Sequence, residues 1–167
     1  MLEQLSLEGK KIVVTGGGTG LGREMALAMA KSGADVVIGG RRKELIEKTA
    51  TLIEKMGRRS LPITTDVTDS TQVNRLFSMA IREFGAIDVL VNNAGKVKDQ
   101  GGVPIWEILD DEWRDVIDAN LTGAFYCSRA VAKHMVERAK GKIINVSSVY
   151  GLRGGRDNFM YACAKGG

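Results

Sequence analysis

Five short runs of aliphatic and β-branched residues recur along the chain. They are Ile12-Val13-Val14, Val36-Val37-Ile38, Leu61-Pro62-Ile63, Val89-Leu90-Val91 and Ile143-Ile144-Asn145-Val146. Consecutive apolar positions bury both faces of a strand, as in a parallel sheet. Between the runs, apolar residues return at the helical period. One pattern holds Leu45, Ile46, Thr49, Leu52, Ile53 and Met56, and a second Val73, Leu76, Phe77, Ala80, Ile81 and Phe84. A longer one passes through Trp113, Val116, Ile117, Leu121, Ala124, Phe125, Ser128, Val131, Ala132 and Met135. One stripe of each helix must bury against a sheet. Strand and helix in alternation predict right-handed crossovers and an α/β, doubly wound parallel sheet.

The punctuation agrees with this reading. Gly33, Gly57, Gly85 and Gly141 each follow a helical pattern and precede a strand, where a left-handed residue is expected. Asp69 with Gln72 resembles a capping box opening the helix that holds Val73. Pro62 removes a ladder donor, so its strand is expected at the sheet edge. Residues Lys96 to Trp106, with Gly101, Gly102 and Pro104, form the longest irregular stretch and a candidate substrate loop.

Composition narrows the class. The chain has 167 residues, 44% hydrophobic and 26% charged, which fits one globular domain and excludes a disordered tail or a disulfide miniprotein. No apolar run is long enough to span a membrane, and the acidic N-terminus lacks a signal-peptide pattern, so a cytoplasmic location is expected. The net charge of +4 is mild. The basic clusters Arg41-Arg42-Lys43 and Arg58-Arg59 lack the aromatic strand or basic helical stripe of a nucleic-acid surface, and each taken alone reads as a solvated loop. Cys127, Cys163 and His134 have no metal-ligand spacing; no metal is expected, both thiols are expected reduced, and His134 is given no catalytic role.

Gly is 21 of 167 residues while Pro is only 2, which suggests tight backbone positions. They concentrate after the first strand, in Thr15-Gly16-Gly17-Gly18-Thr19-Gly20-Leu21-Gly22, where a helix opens. A pyrophosphate needs backbone N–H groups aimed at it and no Cβ in the way, and the helix N-terminus adds partial positive charge. The strand-turn-helix setting makes this a nucleotide-binding loop. No Gly-Lys-Ser/Thr follows, so it is not a P-loop.

The spacing through Thr15, Gly16, Gly20 and Gly22 resembles that of the short-chain dehydrogenase/reductase family. Further marks follow in order: Asp66 in Thr65-Asp66-Val67, then Asn92-Asn93-Ala94-Gly95, Asn120, Ser147-Ser148 and Tyr161-Ala-Cys-Ala-Lys165. The match covers essentially the whole chain. It implies a Rossmann-like sheet in strand order 3-2-1-4-5, continued in the family by strands that are missing here. The chain stops two residues past Lys165. Residues 1–167 are therefore expected to be a single dinucleotide-binding domain, the N-terminal portion of a longer enzyme and weakly active or inactive alone.

The resemblance also implies a nicotinamide coenzyme, with Thr15, Gly16, Gly18, Thr19, Gly20, Leu21 and Gly22 at its pyrophosphate. Asp66 and the Val67 backbone would meet the adenine. Asn93, Ala94 and Gly95 would lie beside the ribose, and Tyr161 and Lys165 would also touch the coenzyme. An NAD site usually carries a carboxylate at the end of strand two. Here that stretch is Val36-Val37-Ile38-Gly39-Gly40-Arg41-Arg42, and Asp35 stands at the wrong end. Gly40 with Arg41 and Arg42 therefore favours the 2′-phosphate of NADP(H), with NAD as the lesser expectation.

Tyr161 and Lys165 are four apart, on one helical face. A free tyrosine phenol titrates near about 10, and a nearby ammonium favours the phenolate. Such a tyrosine can exchange a proton with a carbonyl or alcohol oxygen. Ser148 ends the strand beside the coenzyme and can hold the same oxygen. The family's serine-to-tyrosine spacing selects Ser148 over Ser147, and Asn120 matches a helix-kinking asparagine that holds a water on the proton path to the lysine. Tyr150, Cys163, Arg153 and Arg156 are near in sequence and carry no family role.

The expected activity is an NADP(H)-dependent transfer of hydride between nicotinamide and a carbonyl or secondary alcohol, in the manner of a 3-oxoacyl-thioester reductase. Two alternatives stand beside it: an NAD(H)-dependent alcohol or polyol dehydrogenase, and a catalytically silent coenzyme-binding protein. The expected partners are a small-molecule carbonyl or alcohol and further copies of the chain, as dimer or tetramer, with neither nucleic acid nor membrane.

Overall fold

A computed structural model describes residues 6–97, 103–155 and 158–167. Five strands form one parallel sheet: β1 (Lys11–Thr15), β2 (Asp35–Gly40), β3 (Ser60–Thr64), β4 (Val89–Asn92) and β5 (Lys142–Asn145). The helices are α1 (Gly20–Lys31), α2 (Lys43–Lys55), α3 (Ser70–Phe84), α4 (Asp110–Ile117), α5 (Gly123–Glu137), α6 (Val149–Arg153) and α7 (Phe159–Gly166). The sheet order is β3-β2-β1-β4-β5. The strand holding Pro62 lies at an edge, as its missing N–H requires.

Alternation along the strands builds two cores. Ile12, Val14, Val36, Ile38 and Val91 face α1 and α2, where Ala26, Ala30, Ile46, Ala50 and Ile53 meet them. Val13, Val37 and Leu90 point to the other face and meet Val73, Leu76, Phe77 and Ala80 of α3 with Cys127, Val131 and Met135 of α5. Successive side chains on a strand project to opposite faces, so one apolar run serves both layers.

Asp69 caps α3: its carboxylate accepts from Thr71 N at 2.8 Å and Gln72 N at 3.2 Å. The reciprocal arm is redirected, because the Gln72 side-chain oxygen accepts from Asp66 N at 3.0 Å. The cap is thereby tied to the residue that ends the β3 segment.

Four expectations are corrected. β5 is not buried: Ile143 and Ile144 are 40% and 46% exposed. This strand lies at the sheet edge, pairs with β4 alone, and all four of its residues are exposed. The long helical pattern is not one helix, since a π-helical turn at Asp118–Thr122 separates α4 from α5. Of the four post-helical glycines, Gly33, Gly57 and Gly85 are left-handed, but Gly141 is not; after α5 the left-handed residue is Ala139, at φ 48°. A Cβ at Gly141 would overlap Met135, so packing explains this glycine. Finally, Arg58 is not a solvated loop residue. Its guanidinium bonds Glu8 at 2.9 Å and Asp35 at 3.2 Å, while Arg59 lies 4.5 Å over the Phe84 ring.

Candidate functional site

The sheet order reverses between β1 and β4, which start neighbouring connections in opposite directions and leave a crevice at their C-terminal ends. The chain leaves β1 at Thr15, turns through Gly16 at φ 68° and enters α1. A Cβ at Gly22 would overlap the Gly16 carbonyl oxygen and Asn93 Nδ2, so only a glycine lets α1 start this close to the loop.

Thr15 and Asn93 bind the two loops together. The Thr15 hydroxyl donates to Val91 O at 3.3 Å and accepts from Asn93 N and Ala94 N, each at 3.1 Å. Asn93 Nδ2 donates back to Thr15 O at 3.0 Å. Each end of this brace is a polar group satisfied inside the fold.

The resulting cleft has a volume of about 440 Å³. Gly16, Gly18, Thr19, Leu21 and Gly22 form one wall, and Gly40, Arg41 and Arg42 a second. Asp66, Val67, Asn93, Ala94 and Gly95 complete it among the expected residues. Thr15 is not in the lining, because its side chain is buried in the brace. Gly20 faces a separate groove between α1 and α2. Leu45, Ile46, Lys96 and Asp115 also line the cleft and were not anticipated. Leu45 and Ile46 directly follow the arginine loop, a proximity that could have signalled them. The Lys96–Asp115 ion pair joins residues 19 apart and leaves no sequence signal.

The basic wall is organised. Arg42 Nη2 donates to the Thr19 hydroxyl at 3.0 Å, and Arg41 lies 4.0 Å from Asp66. The Asp66 carboxylate also accepts from Thr68 N and Oγ1, at 3.0 and 2.8 Å. Asp35 is far from this wall in register: it pairs with Lys11 at the opposite end of β2 and accepts from Arg59 N at 3.1 Å.

The second half of the site follows β5. Ser148 caps α6 by accepting from Tyr150 N at 3.2 Å. Tyr161 and Lys165 stand on α7. Lys165 Nζ is 5.8 Å from the centre of the Tyr161 ring and donates to Val146 O at 2.7 Å. Burial lowers the Lys165 pKa below the usual lysine value, since a half-buried ammonium is less well solvated.

Asn120 sits buried in the π-helical turn. Its Nδ2 donates to Lys96 O at 2.7 Å and Val116 O at 2.9 Å, while its Oδ1 accepts from Lys96 N at 3.3 Å. The side chain thus clamps the backbone after β4 to the helix. A Cβ at Gly95 would overlap Asn120 Oδ1 and approach Lys165 Nζ to 3.7 Å. Gly95 is therefore where Asn120, Lys165 and the cleft converge.

His134 and Cys127, given no role, stay outside. His134 Nε2 accepts from Ile87 N at 3.2 Å, fastening α5 to the segment before β4. Cys127 is buried and its thiol is pushed up to about 12 by desolvation, whereas Cys163 is exposed. Of the candidate substrate loop, residues 98–102 lie outside the described residues; Ile105 and Trp106 are exposed. No described helix is long and apolar enough to cross a membrane.

A family model described as short chain dehydrogenase matches residues 10–167. The chain is 38% identical to 2-dehydro-3-deoxy-D-gluconate 5-dehydrogenase of Escherichia coli, over all of this chain and 64% of that one. It is 34% identical to the 3-oxoacyl-[acyl-carrier-protein] reductase FabG of Thermotoga maritima, over 98% of this chain and 65% of that one. Among solved structures, NAD+-bound xylitol dehydrogenase superposes with a TM-score of 0.89 at 31% identity, covering 95% of this chain and 60% of that one. The chain spans less than two thirds of the length of these relatives.

Proposed function

Because the chain belongs to the short-chain dehydrogenase family, we propose that it forms the coenzyme-binding part of an NADP(H)-dependent oxidoreductase acting on a carbonyl or secondary alcohol. The observation that carries the coenzyme choice is the end of β2. It places Gly40, Arg41 and Arg42 in the cleft wall, and no carboxylate accompanies them on that strand end. A glycine cradle that a Cβ would fill, beside two guanidinium groups, fits a dinucleotide with an extra phosphate. Gly16, Gly18, Thr19, Leu21 and Gly22 would hold the pyrophosphate, Asp66 and Val67 the adenine, and Asn93, Ala94 and Gly95 the ribose.

When bound, the coenzyme supplies or accepts the hydride at the substrate carbon. In reduction, the Tyr161 hydroxyl gives its proton to the carbonyl oxygen and the Ser148 hydroxyl donates a hydrogen bond to that same oxygen. In oxidation the proton returns to Tyr161. The Lys165 ammonium favours the phenolate form of Tyr161, and Asn120 clamps the Lys96 backbone beside it. Reduction of a 3-oxoacyl thioester or similar ketone is the favoured direction and substrate, supported by the similarity to the Thermotoga maritima reductase. The enzyme works as a homo-oligomer in the cytoplasm.

A second reading is an NAD(H)-dependent alcohol or polyol dehydrogenase. It is supported by the likeness to a xylitol dehydrogenase bound to NAD+ and by Asp66 lying 4.0 Å from Arg41, where it competes for that cation. The deciding measurement is the ratio of kcat/KM for NADPH and NADH with a panel of ketones. A ratio favouring NADPH supports the first reading; a clear preference for NADH overturns it.

A further inference from the structure

Resting on the oxidoreductase reading for its kinetic consequence, we infer that Tyr150 is a positioning residue that sets both Ser148 and Tyr161. Its backbone N–H donates to the Ser148 hydroxyl oxygen at 3.2 Å. Its ring meets the Tyr161 ring edge to face, with centroids 6.4 Å apart and planes at 88°. The two contacts come from one residue on α6, so the serine and the tyrosine share a single reference point although they are thirteen positions apart.

Each contact has a defined chemical effect. The N–H occupies a lone pair of Ser148 Oγ, which fixes its rotamer and leaves the hydroxyl proton to be donated elsewhere. An aromatic edge lying against an aromatic face is electrostatically favourable and selects one ring orientation. Tyr161 is thereby held with a defined direction for its C–O bond.

Tyr150 is itself held. Its carbonyl accepts from Gly154 N at 2.9 Å, and Gly151 N donates to Ser148 O at 3.0 Å. Gly155 packs on the ring so closely that a Cβ there would stand 3.1 Å from Tyr150 Cγ. The α6 turn is short, but its Ser148 cap and these contacts lock Tyr150 against α7. The helices α6 and α7 approach closely enough that a Cβ at Gly151 would overlap the Lys165 carbonyl.

The ring, not the Tyr150 hydroxyl, carries the effect. Positioning errors of the order of an ångström reduce turnover strongly while leaving remote binding intact. The test uses Tyr150→Leu and Tyr150→Phe in the full chain, with the Tyr161 ring-proton NMR signals assigned by their loss in Tyr161→Phe. Tyr150→Leu is expected to move those signals and to lower kcat about tenfold or more, with the coenzyme KM unchanged. Tyr150→Phe is expected to keep both the signals and kcat. Unmoved Tyr161 signals in Tyr150→Leu, or a loss of kcat in Tyr150→Phe as large as in Tyr150→Leu, would overturn the inference. Failure of the unmutated chain to bind either NADPH or NADH would instead refute the oxidoreductase reading, because the NMR measurement depends on neither coenzyme nor turnover; weak turnover would refute neither, since residues 1–167 are expected to be weakly active or inactive alone.

Discussion

The Arg42 guanidinium donates to the Thr19 hydroxyl at 3.0 Å, joining the loop after β2 to the glycine-rich loop after β1. The bond pre-places a cation at the cleft wall, so less side-chain freedom is lost when an anion arrives. Replacing Arg41 and Arg42 together by Ala should lower kcat/KM for NADPH about 10- to 100-fold, the usual worth of a charge-assisted hydrogen bond. The value for NADH should stay nearly constant. Steady-state kinetics with both coenzymes checks this, and an equal loss for the two would remove Arg41 and Arg42 from phosphate recognition.

Tyr161→Phe removes one oxygen and should cost about 100-fold or more in kcat, the typical worth of a general acid, while coenzyme fluorescence still titrates normally. The same pair predicts the alkaline limb of the pH profile. In the proposed mechanism Lys165 acts as an ammonium, and burial lowers its pKa below the usual lysine value. Turnover should therefore decline as pH rises through that lowered value.

Gly22→Ala tests the cradle. The new Cβ has no room beside Gly16 O and Asn93 Nδ2, both backbone-anchored neighbours. Forcing a methyl into a filled site costs about 1–3 kcal/mol. A reduced urea midpoint with weakened coenzyme binding is expected; unchanged stability and affinity would mean that the loops can separate freely.

Asp88, at the other end of the sheet, should contribute to acid stability. Desolvation by burial raises its pKa, but the Lys11 N–H and the Arg138 guanidinium, each bonded at 3.0 Å, together outweigh this and lower it. A depressed carboxylate stabilises the fold above its unfolded pKa, and that contribution is lost as pH falls through the folded value. Asp88→Asn should cost about 2 kcal/mol at neutral pH. Its urea midpoint should also fall less steeply than the parent's below pH about 4. Parallel curves for the two would exclude Asp88 as the acid-sensitive group.

The strand runs, the helical stripes and the glycine loop were legible because each is local. The apolar period of Val73, Leu76, Phe77 and Ala80 predicts a buried face, and α3 buries it. Arg41 and Arg42 were legible because strand geometry delivers the residues after β2 to the same end as those after β1. What escaped depended on distant partners. Gly141 looked like a helix cap, yet its constraint is the Met135 side chain, and Ala139 takes the left-handed position. Arg58 looked solvated until Asp35 and Glu8 came within reach through the fold. The exposure of β5 could not be read from Ile143 and Ile144, since apolar composition does not reveal how many neighbours a strand has.

The reversal of sheet order at β1 and β4 separates two inheritable tasks. In the proposed reading, coenzyme selectivity rests on the connection after β2, on the outward-running first half of the chain. The proposed acid–base residues follow β5, on the half that runs the other way. At the cleft, the brace of Thr15 with Asn93 joins the two halves, while the β1–β4 pairing joins them along the sheet. On that reading, mutations that retune the Gly40–Arg41–Arg42 wall need not disturb the Ser148–Tyr161–Lys165 side, and one scaffold can drift in coenzyme and in substrate along separate evolutionary paths.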